Sequence, residues 1–138
     1  MSGERPYAEL LQRLRAVGLR PTRQRLALAR LLFEKGDRHV TADELHAEAE
    51  EAGVGVSLAT VYNTLNQFTG AGLLREVAVE AGRAYFDTNT SDHHHFFYED
   101  GGRLVDIPAE NLAVAGVPKA PKGTEVARID VIVRLRRN

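Results

Sequence analysis

From Tyr7 to Phe68 the apolar residues recur at spacings of three and four, and beyond Leu74 they begin to alternate, so the chain reads as helices first and strands afterwards. Tyr7 to Val17 sets Leu10, Leu11, Leu14 and Val17 on one face and is broken by Gly18 and Pro21. Thr22 stands as the N-cap of a second helix, in which Leu26, Leu28, Ala29, Leu32 and Phe33 form a broad apolar stripe closed at Gly36-Asp37. Thr41-Ala-Asp-Glu44 has capping-box spacing, where the Thr hydroxyl and the Glu carboxylate each satisfy an amide left over at a helix start. That third helix is expected to reach Glu51 and end near Gly53. Ser57 caps a fourth helix with Leu58, Val61, Leu65 and Phe68 facing inward and Thr60, Tyr62, Asn63, Asn66 and Gln67 facing out, stopped by Gly70 and Gly72. Two strand-like runs follow, Leu74 to Val79 and Arg83 to Asp87, and Glu80-Ala81-Gly82 joins them as a hairpin.

Helices followed by a two-stranded ribbon make a winged helix-turn-helix, with the helix from Ser57 in the recognition position. Its exposed Asn, Gln, Thr and Tyr side chains suit base edges and thymine methyls, and it lacks the Lys and Glu of an ordinary surface helix. From Ser91 the pattern changes. His93 to Tyr98 and Arg103 to Ile107 read as strands around a Gly101-Gly102 turn, Pro108 to Ala115 as a short helix, and Val117 to Gly123 as a loop. Ala127 to Leu135 alternates as a half-buried strand, broken only at Ile132. So short a segment rarely builds a core alone, and a second copy would supply the missing apolar surface. The expected fold class is therefore α+β: a winged helix-turn-helix at 1–88 and a small C-terminal α/β dimerisation lobe at 89–138.

The 18 Lys and Arg stand against 19 Asp and Glu, and a net charge of −1 by itself argues against a nucleic-acid binder. The distribution is uneven, however. Residues 1–40 hold nine basic side chains (Arg5, Arg13, Arg15, Arg20, Arg23, Arg25, Arg30, Lys35, Arg38) and four acidic ones. That excess serves a phosphate backbone, and a solvated helix face explains it equally well. Ala52 to Leu74 carries no charge, yet it is too rich in polar residues and glycine for a membrane span. The absence of cysteine removes disulfides, thiolate nucleophiles and Cys-based zinc sites. With no apolar leader after Met1, it fits a cytoplasmic protein. Catalysis finds no support: Ser2, Ser57 and Ser91 lack a nucleophile-elbow setting, and Gly53-Val-Gly55 lacks a phosphate-loop lysine.

The run His93-His94-His95, with Asp92 before it, is the chemically richest place in the chain. Residues two apart on a strand share a face, so His93 and His95 point together and His94 points away. Two such imidazoles can converge on one metal ion or on an iron porphyrin. Asp87 at the end of the wing and Asp106 on the next strand can each add a carboxylate, and His39 is a more distant further ligand. Nitrogen and carboxylate donors without thiolate suit Fe, Mn or Zn in a reversible regulatory site. The competing reading is an accidental histidine run on a polar loop.

Three segments carry a likeness: Gly18-Leu-Arg-Pro-Thr-Arg-Gln-Arg25, His39-Val-Thr-Ala-Asp-Glu-Leu45 and Leu58-Ala-Thr-Val-Tyr-Asn-Thr-Leu-Asn-Gln-Phe68. With the His-rich run and Gly102-Arg-Leu-Val-Asp106, they resemble the ferric uptake regulator superfamily from about residue 10 to 135. Within it the chain is most similar to the iron response regulators of alphaproteobacteria. The resemblance implies a homodimeric regulator, mainly a repressor, that binds a double-stranded DNA operator and controls iron and haem metabolism genes in response to iron or haem. It implies base contact by Tyr62, a minor-groove role for Arg20, and DNA contacts spread over Thr22, Arg25, Ser57, Thr60 and Asn63. It places a divalent metal on His39, Asp87, His93 and His95, with Asp106 as a fifth ligand, and haem on His93, His94 and His95.

There are departures from the family pattern. Tyr98 and Gly101 stand where relatives carry a thiolate pair, so no structural zinc held by four cysteines is expected. His94 and Asp92 match ligands of a second family site whose other positions are apolar or basic here. Asn63 replaces a frequent arginine and implies a different operator preference. The alternatives are a regulator of the same fold sensing zinc, manganese or peroxide, and a winged-helix module that binds protein.

Overall fold

The computed structural model describes residues 4–80 and 82–138, with side chains from Tyr7 onward. Met1 to Gly3 and Ala81 of the hairpin connection lie outside the described residues. The chain divides into two compact units, residues 1–90 and 91–138.

The first unit runs α1 (Glu4–Ala16), α2 (Arg23–Phe33), β1 (His39–Val40), α3 (Ala42–Glu51), α4 (Leu58–Gly70), β2 (Arg75–Glu80) and β3 (Arg83–Asp87). Its helix starts are written in hydroxyl side chains. Thr22 Oγ1 accepts from the Arg25 amide at 3.2 Å, and Ser57 Oγ accepts from the Thr60 amide at 3.1 Å. Thr41 and Glu44 complete a capping box at 3.1 and 3.4 Å. Each such cap is worth about 1 kcal/mol. Helix α4 ends in a Schellman turn: Leu73 N–H reaches Phe68 O at 2.9 Å and Gly72 N–H reaches Thr69 O at 3.0 Å. That turn needs the positive φ of Gly72, +84°, and aims the chain into the wing.

Leu28, Leu32, Leu45, Val61, Leu65 and Phe68 are fully buried at the centre of the helical core. The expected inward stripe of α4 holds for Val61, Leu65 and Phe68, while Leu58 is only half-buried and Thr64 joins the buried side. Helix α1 begins earlier than the apolar pattern predicts, and Val17, past its end, is 36% exposed rather than facing inward. The wing is a three-stranded sheet in the order β1-β3-β2, not a two-stranded ribbon. Strand β1 is two residues long, too short to leave a periodic signal.

The second unit contains β4 (His94–Tyr98), β5 (Arg103–Ile107), a 3-10 turn (Ala109–Asn111) and β6 (Ile132–Leu135). The order is β5-β4-β6, antiparallel on one side of β4 and parallel on the other. The helix expected over Pro108 to Ala115 is this single 3-10 turn, which leaves the lobe little helix. The strand expected over Ala127 to Leu135 is regular only from Ile132. The register explains why: His95 pairs with Ile132, so the segment before Val131 has run past the start of β4. No helix among the described residues is long and apolar enough to cross a membrane.

Candidate metal centre

In the first unit, strand register sets His39, Asp87 and Arg75 in one row across β1, β3 and β2. Asp87 is buried at 1% exposure, and its Oδ1 accepts the Asn89 amide at 2.9 Å. The His39 ring lies edge-on to Tyr85, with centroids 6.1 Å apart. Arg75 is buried at 4% exposure, on the β2 face that also carries Val77 and Val79.

Strand β1 is held by the residue before it. The Arg38 amide donates to Thr88 Oγ1 at 2.8 Å and Thr88 N–H returns to Arg38 O at 2.9 Å, fixing β1 beside the end of β3. The Arg38 guanidinium forks onto Glu48 of α3, with Nη1 on Oε1 at 2.9 Å and Nη2 on Oε2, and Nη1 also reaches Leu31 O at 3.1 Å. The hydrogen bond from Arg38 holds the Glu48 carboxyl below its ordinary range, and the same bond raises Arg38.

In the second unit, His93 and His95 are buried at 5% and 2% exposure, with ring centroids 4.6 Å apart. The register places Asp106 directly opposite His95. Both Nε2 atoms converge on one carboxylate oxygen, Asp106 Oδ1, at 3.5 Å from His93 and 3.3 Å from His95. Donor atoms about 2.1 Å from a common ion stand roughly 3.0–3.4 Å from one another, so the trio is already spaced as a ligand set. The ring of His93 is also oriented. Its Nδ1 lies 2.7 Å from Ser91 O, which requires a proton on Nδ1 and leaves the Nε2 lone pair for a ligand. The residues present therefore fit a divalent ion, and the carboxylate would offset its charge.

His94 turns to the other face, where its Nδ1 accepts the Val131 amide at 3.1 Å. That bond consumes the Nδ1 lone pair and puts the ring proton on Nε2, so His94 serves as a strand-joining acceptor. Asp92 is exposed before β4. Tyr98 and Gly101 sit at the β4–β5 turn, with the Arg103 guanidinium 4.6 Å over the Tyr98 ring.

The expected DNA-facing residues fall into two groups. Tyr62 is 42% exposed on α4, beside exposed Asn63, Asn66 and Gln67 and half-buried Thr60. Arg20 is exposed in the turn before α2. Thr22 and Ser57 are the caps of α2 and α4, and the Arg25 side chain bonds within the protein. Sequence reasoning missed the Arg38–Glu48 fork and the burial of Arg75. The alternation Arg75, Val77, Val79 held a signal for the latter.

The profile of the Ferric uptake regulator family matches residues 16–133, and the chain belongs to that family. It is 35% identical over 109 residues to the peroxide-responsive repressor PerR of Staphylococcus aureus strain Mu50, covering 79% of this chain and 73% of that protein. The ferric uptake regulator of Pseudomonas aeruginosa, solved with manganese, is 26% identical with a TM-score of 0.70, over 93% of this chain and 97% of the other. The Campylobacter jejuni peroxide stress regulator is also 26% identical, at a TM-score of 0.61, over 94% and 96%.

Proposed function

We propose that this chain is a homodimeric DNA-binding regulator, acting mainly as a repressor, whose hold on its operator is set by a divalent metal. His93, His95 and Asp106 would supply ligands from the second unit, and Asp87 and His39 from the first. The observation that carries the reading is the convergence of two buried imidazoles, one of them oriented by Ser91 O, on one carboxylate oxygen. When bound, the ion would supply a fixed positive charge to the imidazoles and carboxylates that hold it. The side chains do the rest: Asp106 balances charge, Ser91 fixes the His93 tautomer, and the Arg38 fork holds β1.

Dimerisation is supported by the second unit itself. Its segment 112–131 leaves Val114, Val117, Val126 and Ile129 at 44%, 46%, 52% and 39% exposure. Apolar side chains so placed in a unit this small fit a face covered by a second copy. DNA reading is assigned to Tyr62, Asn63 and Thr60 on α4, with Arg20, Arg25, Thr22 and Ser57 at the flanking helix starts. In the signal itself, iron is the metal we favour, with iron and haem metabolism genes as targets. His94 argues against its own use as a haem ligand, because its Nδ1 already accepts a backbone amide.

Peroxide sensing is the second reading, favoured by the likeness to a peroxide-responsive repressor. One experiment separates these readings. Duplexes are selected from a random pool by the purified protein loaded with Mn2+ or, without oxygen, Fe2+, and binding is measured before and after peroxide. Metal-dependent selection supports the proposal, and loss after peroxide with Fe2+ but not Mn2+ favours the peroxide reading. Selection that is indifferent to metal and to chelator contradicts both. A Soret band on adding haemin, lost when His93 and His95 are changed to Ala, would restore haem.

A further inference from the structure

The turn that carries Arg20 and the helix that carries Tyr62 are far apart in sequence, yet one side chain ties them together. Arg25 Nη1 donates to the Arg20 carbonyl at 2.7 Å. From the same guanidinium, Nε and Nη2 both donate to Gln67 Oε1, at 3.3 and 3.0 Å. Gln67 lies on the exposed side of α4, one helical turn beyond Asn63. The Arg25 amide is also the donor that Thr22 caps, so the backbone beneath this side chain is fixed at the first turn of α2.

We propose that Arg25 is a positioning residue for DNA reading. Its fork holds the Arg20 turn against α4, so that Arg20 and Tyr62 meet a duplex in one register. The inference rests on the DNA-binding reading given above. A guanidinium is suited to the task because it is planar, always charged, and projects its N–H groups in fixed directions toward two acceptors at once. Lysine keeps the charge but has a single ammonium at the end of a flexible stem, and cannot bridge a carbonyl and an amide oxygen in this geometry. A phosphate contact and a positioning role therefore part company on Arg25→Lys.

The test uses the full-length protein with Mn2+, a duplex selected by the wild type from a random pool, and an unrelated duplex of equal length. Arg25→Lys and Gln67→Ala should each weaken the selected duplex about tenfold, the scale of a lost charge-assisted hydrogen bond. The double variant should lose little more than either alone, because both break one linkage. Affinity for the unrelated duplex and the salt slope should stay as in the wild type. Wild-type binding by Arg25→Lys, with a salt slope lowered by about one in Arg25→Ala, overturns the proposal in favour of a simple phosphate contact. Additive losses in the double variant overturn it too. Gln67 is on the surface, so its variant keeps the test intact should an Arg25 variant fold poorly. A wild type that selects no sequence refutes the DNA-binding reading itself, and that result is visible before any variant is compared.

Discussion

Changing Glu48 to Gln tests whether the Arg38 fork fixes the wing as the geometry implies. The wild-type pair is bidentate, and its side chains are only 23% and 32% exposed. Gln keeps one carbonyl acceptor but removes the charge and the second oxygen, leaving Arg38 with that single oxygen, Leu31 O and solvent. A charge-assisted hydrogen bond contributes about 1.5–3 kcal/mol and an exposed ion pair under about 1 kcal/mol, so a loss of about 1–2 kcal/mol is expected at neutral pH. For a unit of this size that lowers the midpoint by about 5–10 °C. The pH sign is fixed by the shifts. Glu48 is lowered from its ordinary 4.5, so its contribution is present above that value and lost as pH falls through the folded-state value. Arg38 is raised above its ordinary range by the same bond, so its side of the pair is lost only in strong alkali. The gap between wild type and variant should be level from pH 8 to about 5 and shrink below about pH 4.5. Urea unfolding of metal-free protein across this range reads it directly. A variant within about 0.3 kcal/mol of wild type at pH 7, or a gap undiminished in acid, would refute the fork as a stabilising contact.

The metal centre makes its own demands. His95→Ala or His93→Ala should weaken Mn2+ binding at least a hundredfold by calorimetry, and Asp106→Asn about tenfold, since Asp106 is the exposed member; unchanged affinity in all three would place the ion elsewhere. Protons compete with metal for imidazole, so affinity should fall as the pH is lowered from about 8 to 5.5, and a flat profile would mean that carboxylates hold the ion alone. Tyr62→Ala should weaken the selected duplex and spare an unrelated one, whereas equal losses would deny base reading. Glu76 and Glu80 line a groove beside Tyr62, so Glu76→Gln with Glu80→Gln should raise affinity for unrelated duplexes and leave metal binding unchanged; no rise would mean that these acids do not repel phosphates.

What could be read from sequence was local. Thr22, Thr41 and Ser57 each stand just before an apolar periodic run, and each caps a helix. The hairpin of β2 and β3 followed from alternation around Gly82. What could not be read depends on partners distant in the chain. Strand β1 exists only because Val40 and His39 find Phe86 and Asp87, and two residues cannot announce that. Arg38 looked like one more surface charge until it met Glu48. At Ala127 to Val131 the alternation is real, but β4 begins at His94, and a strand needs a neighbour to exist. In the histidine run, spacing separated His94 from its neighbours. It could not show that His94 would be taken by the Val131 amide.

The net charge of −1, which spoke against DNA binding, takes on a different meaning beside the arrangement of the acids. A groove of about 730 Å3 lies between α4 and the wing, with Tyr62 and Asn66 on one side and Asp43, Glu44, Glu76 and Glu80 among its lining. Phosphates brought to that groove meet acids on both sides of the reading face, and only Arg83 of the lining residues is basic. A recognition helix with no cation, beside a strand that carries Glu76 and Glu80, adds little counterion release of its own on arbitrary sequence and leaves that part to the basic residues before Val40. On the proposed assignment of base reading to Tyr62 and its uncharged neighbours, discrimination comes from contacts that only the right bases return. On this account the acidic balance lowers the binding that every duplex shares, and what matters in a genome is the ratio of specific to shared binding rather than either affinity alone.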